Sequence, residues 1–69
     1  MTQKELSYLE DAISHECIMI KVLNDTNERL KQEELKEFIE NALTVHQNIK
    51  ENLINLMEDK TNEWWNANK

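Results

Sequence analysis

The sequence predicts an all-α fold: a helical hairpin that pairs with a second copy, antiparallel partners throughout, into a four-helix bundle. Three observations lead there. The 69 residues include no glycine and no proline, residues that a β-rich chain needs for its tight turns. Two long runs of apolar residues recur at alternating steps of three and four, the spacing of a helix facing a partner helix. A single polar stretch between those runs is the only plausible place for the chain to turn back.

Thr2 followed by Glu5 is a capping-box pattern, in which the hydroxyl accepts from the N–H three residues on and the carboxylate reaches back. The first helix is therefore expected over about 3–30. Its seam is Leu6, Leu9, Ile13, Glu16, Ile20, Leu23, Asn27 and Leu30. The turn falls within 27–34, where Arg29 and Lys31 suit the negative end of one helix dipole, and Glu33 and Glu34 the positive start of the next. A second helix is expected over about 33–65, with a seam of Leu35, Ile39, Ala42, His46, Ile49, Leu53 and Leu56. The whole chain, 1–69, is one helical-hairpin domain with a polar tail over 60–69 that carries Trp64 and Trp65.

Apolar residues also flank the two seams: Ala12, Cys17 and Met19 in the first half, then Phe38, Leu43, Val45, Met57 and Trp64 in the second. A two-stranded zipper would carry only the narrow seam. The wider stripe suits a bundle in which each helix touches two neighbours. A chain this short buries little apolar surface by itself, so a homodimer or another protein partner is expected.

The net charge is −6, from 8 Lys+Arg against 14 Asp+Glu. The basic residues form no stripe, which argues against a nucleic-acid partner. There is neither a basic amphipathic face for a membrane surface nor an apolar run near the roughly 20 residues of a spanning helix. The N-terminal residues lack the apolar core of a secretory signal, and the single Cys17 has no internal disulfide partner. Synthesis in a reducing cytosol is the expectation. Without glycine there is no loop to cradle a phosphate, so nucleotide binding has no support.

Glu16 and His46 interrupt otherwise apolar seams. With the turn centred between Leu30 and Glu33, residues level with each other across the hairpin have numbers totalling about 63, as those of Glu16 and His46 nearly do. A carboxylate and an imidazole inside a seam are costly unless they meet each other, water or a metal. Two readings follow. The pair is a hydrogen-bonded polar layer that fixes register, or two copies of it supply the ligands of a zinc or iron ion.

The segment Lys4-Glu5-Leu6-Ser7-Tyr8-Leu9-Glu10-Asp11-Ala12-Ile13, the later Glu16, and Glu34-Leu35-Lys36-Glu37-Phe38 leading to His46 resemble the spore coat protein F-like family of endospore-forming bacteria. That family looks like part of the ferritin-like superfamily. The resemblance covers nearly the whole chain and implies a ferritin-like bundle and a spore-associated role. In ferritin-like carboxylate proteins a lone Glu on each of two helices and a Glu-x-x-His on each of the other two bind two metals. Glu16 matches the lone Glu and His46 the His, but Leu43 stands where the bridging Glu belongs, so di-iron chemistry is not expected.

Among the remaining candidates, Asn27 reads as a second register device, Cys17 as a small buried hydrophobe, Tyr8 as an edge contact and His15 as a solvated or rim residue. Ile18 falls on the outer face, where a closed bundle should be polar. Ile18, Trp64 and Trp65 are accordingly the candidate partner-binding residues. The functional expectation is a small non-enzymatic structural or assembly protein, spore coat-like, with no catalytic residues and no cofactor. The alternatives are a metal-binding or residual redox protein using Glu16 and His46, and a small acidic regulator of a protein partner.

Overall fold

The computed structural model describes the backbone of residues 1–67 and the side chains of residues 1–61. Two helices account for nearly all of it: α1 (Gln3–Arg29) and α2 (Glu33–Ala67). They fold back on each other as an antiparallel hairpin.

The start of α1 is fixed as its sequence predicts. The Glu5 amide donates to Thr2 Oγ1 at 3.0 Å, and the Thr2 amide donates to Glu5 Oε1 at 2.9 Å. These bonds satisfy two backbone donors that the helix itself leaves without partners. At the other end the chain leaves α1 through Leu30, whose φ of −83° and ψ of 143° are extended. The Leu30 amide donates to the Asn27 carbonyl at 3.3 Å, and the Lys36 amide donates to the Gln32 carbonyl at 3.0 Å. No described residue has a positive φ, so this turn needs no glycine. Arg29 closes α1, and Glu33 and Glu34 open α2, each beside the helix-dipole end that its charge favours.

In α1 the inward residues are the expected ones. Leu6, Leu9, Ile13, Glu16, Ile20, Leu23, Asn27 and Leu30 are all half-buried. In α2 the seam differs from expectation. Ile39, His46 and Leu53 face inward as expected, but they alternate with Lys36, Leu43, Lys50 and Met57. Leu35, Ile49 and Leu56 are exposed instead. The helix has turned by about 50°, half the 100° step between neighbouring residues. The cause is that two apolar rows compete for one partner helix. Leu43 fills the centre and is the most enclosed described residue, with 8 % of its surface exposed. Lys36 and Lys50 lay their alkyl stems along the seam edge while the ammonium groups reach water.

The result is a rod of 55 × 15 × 12 Å with a radius of gyration of 16.1 Å. A compact domain of this length would have a radius near 11 Å. The chain exposes 5680 Å², about 1100 Å² more than a compact monomer of its mass is expected to expose. No residue of α1 is buried.

Candidate functional site

Glu16 and His46 meet as their levels along the hairpin predict. Oε2 of Glu16 lies 2.6 Å from Nδ1 of His46. A carboxylate can only accept a hydrogen bond, so Nδ1 carries the proton and donates it. The separation is short even for a bond to an ionised group. The side chains remain 18 % and 29 % exposed, so the pair lies at the surface of the seam rather than sealed within it. Ala12, Ile13, Ile20, Ala42, Leu43 and Ile49 stand within one helical turn of one member or the other. The pair is thus a polar island in apolar surroundings.

The surroundings are strongly one-sided. On α1 the row Tyr8, Ala12, His15, Met19, Val22 and Thr26 lies to one side of the seam; on α2 the corresponding row is Leu35, Phe38, Ala42, Val45, Ile49, Asn52 and Leu56. Each row is rotated from its seam in the same sense by about 110°. In antiparallel helices an equal rotation carries both rows to the same face of the hairpin. Tyr8 and Leu56 indeed line one groove of about 500 Å³ together with Met1, Glu5, Leu9 and Lys60. The opposite face carries Ser7, Glu10, Ser14, Lys21 and Glu28 on α1, and Glu37, Glu40, Thr44, Gln47 and Glu51 on α2.

No Asp, Glu, Lys or Arg interrupts the apolar rows between Tyr8 and Thr26 or between Leu35 and Leu56. Phe38 is 71 % exposed, and Val45, Val22, Met19 and Ile49 are exposed as well. Glu16 and His46 lie on this side of their seams, midway along both rows. Sequence periodicity shows the two rows separately. What it misses is that the rotation of α2 leaves its second row open on the same side as that of α1.

Other candidates fall elsewhere. Cys17 is exposed rather than buried, because it lies on the polar side of the α1 seam. Asn27 is half-buried, and its side-chain oxygen has no hydrogen-bond partner, so it does not act as the paired register device its position suggested. His15 is exposed, as expected of a rim residue, and Ile18 is 61 % exposed at the margin of the apolar face. The side chains of Trp64 and Trp65 lie outside the described residues.

A metal needs more than the hairpin offers. Among the described residues no group of three or more His, Cys, Asp or Glu side chains is gathered to hold an ion. Glu16 and His46 supply two donors, whereas a structural zinc site takes four. No described helix is long and apolar enough to cross a membrane. Glu5 is the group with a clear change in acidity. The Thr2 amide and then the Thr2 hydroxyl hold its carboxylate below the usual range, against a small opposing effect of desolvation.

No protein-family model, curated protein or solved structure matches the chain.

Proposed function

We propose that this protein is a non-enzymatic assembly module that works as a homodimer, two hairpins closing their apolar faces against each other into a four-helix bundle. The single observation that carries this reading is the one-sided face. It is apolar on both helices, free of formal charge along its length, and backed by a polar surface on the other side. The area argument agrees with it. The surface in excess of a compact monomer is close to the roughly 800 Å² that each partner of a standard interface covers. Both copies are acidic, and the uncharged face is where they can approach without like-charge repulsion.

A spore coat-like role is the biological setting we favour. It rests on the resemblance of the segments around Glu5, Glu16 and His46 to the spore coat protein F-like family. Recovery of the protein from the coat fraction of mature spores, rather than from growing cells only, tests that setting.

The dimer is tested with Phe38→Glu. In a lone hairpin this side chain is already mostly in water, so the change should leave the helix content as it was. In a bundle it buries a carboxylate in an apolar interface. Sedimentation at low micromolar concentration should find a dimer for the native chain and a monomer for the variant. A well-folded native monomer would refute the proposal.

A further inference from the structure

Resting on the dimer proposed above, we infer how the second copy is seated. The two hairpins point in opposite directions, with the two-fold axis crossing the face at the Glu16–His46 pair. α1 then lies on α1 of the second copy and α2 on its own counterpart.

A face-to-face dimer of identical hairpins has two symmetric choices. With the two-fold axis along the rod, both turns lie at one end, and α1 packs against α2 of the other copy. With the axis across the rod, the turns lie at opposite ends. The charges that bound the face separate these choices. Glu5 and Arg29 bound the α1 row, and Asp59 follows the α2 row. With the turns together, Glu5 comes level with Asp59 of the second copy, and Arg29 with the α2 start. With the turns apart, Glu5 comes level with Arg29 of the second copy at both ends of the bundle. Asp59 comes level with the Lys31–Gln32 connection. Opposite charges thus meet in place of like ones.

The polar pair sets the alignment. The apolar rows repeat every seven residues, so a slip of one heptad, about 10 Å, still lays aliphatic side chains on one another. Hydrophobic contact alone therefore leaves several registers nearly equal. Glu16 and His46 lie midway along the rows, and only the centred arrangement places the two pairs against each other. Any slip presses a carboxylate and an imidazole onto apolar side chains of the second copy, a desolvation with no compensating partner. A lone polar layer in a repeating apolar seam is the best-attested means of choosing one register at some cost in stability.

The experiment places a spin label on Gln32→Cys in a Cys17→Ser background and measures the distance between copies. Gln32 is exposed and lies in the connection, so labelling leaves the helices intact. The opposed, centred arrangement predicts one narrow distribution at about 42 Å along the bundle, from 1.5 Å per residue. Turns at the same end predict roughly 20 Å or less, given interaxial distances of about 8–10 Å, and that result would overturn the inference while leaving the dimer standing. A monomer in sedimentation, with no distance between copies, would overturn both. Glu16→Leu with His46→Leu should keep the dimer but add distances shifted by about 10 Å. The exchange Glu16→His with His46→Glu should keep the single narrow distribution. A distribution equally narrow in the double-leucine variant would show that the pair does not choose the register.

Discussion

His46 donates from Nδ1 to Oε2 of Glu16 across the two helices, thirty residues apart in sequence. Each side chain takes the place of an apolar residue in its row, so neither is well accommodated without the other.

His46→Leu alone should therefore lower stability by about 2 kcal/mol, the scale of a lost bond to a charged group that leaves its partner partly enclosed. Glu16→Leu alone should do the same. The double leucine variant should recover most of the loss, because it removes both polar groups together. Urea unfolding of all four proteins, at a fixed concentration, gives the coupling energy. Simple additivity would count against the observed contact.

Leu43→Ala should cost about 2–3 kcal/mol, the range for truncating a buried leucine. Leu35→Ala, on an exposed residue of the adjoining row, should cost much less within one hairpin. Its effect should appear as a weaker dimer, read from the concentration dependence of the melting temperature. Equal losses at both positions, independent of concentration, would contradict the observed rotation of α2.

Asn27 carries an enclosed side-chain oxygen without a partner. Asn27→Leu removes that unsatisfied group and adds apolar area, so the protein should gain about 1 kcal/mol. Thermal unfolding measures it. A loss of similar size would mean that the amide is bonded in solution.

The capping box links the first turn of α1 to acidity. Because the folded protein holds the Glu5 carboxyl below its ordinary range, the unfolded chain binds the proton more readily. The contribution of Glu5 is present above the unfolded value and is lost as the pH falls through the folded value. Fraying of residues 2–6 in acid, followed by amide exchange, should accompany the Glu5 titration. Glu5→Gln should move that fraying out of the acid range.

The elements were legible in the sequence wherever local chemistry decides them. Thr2 and Glu5 mark one end of α1, and the charges around 29–34 mark the turn. The paired levels of Glu16 and His46 follow from counting a constant rise along both helices. The facing of α2 was not legible in the same way. Leu35, Ala42, Ile49 and Leu56 form one row, and Leu43 and Met57 belong to its neighbour; periodicity scores the two rows almost alike. Only packing against α1 chose between them, and Cys17 fell on the polar side for the same kind of reason. The open face is a property of how the two helices are rotated together, which neither run of residues specifies alone.

The bend at Leu30 has a consequence for how this molecule is held in shape. Its backbone angles are available to any amino acid, and no glycine or proline forbids a straight path there. Locally, the chain would accept one uninterrupted helix almost as readily as a reversal. The fold-back is therefore maintained from a distance, by side chains far along both arms. A short peptide covering only residues 20–45 should lose the corner and become helical through it, which circular dichroism and backbone chemical shifts would reveal.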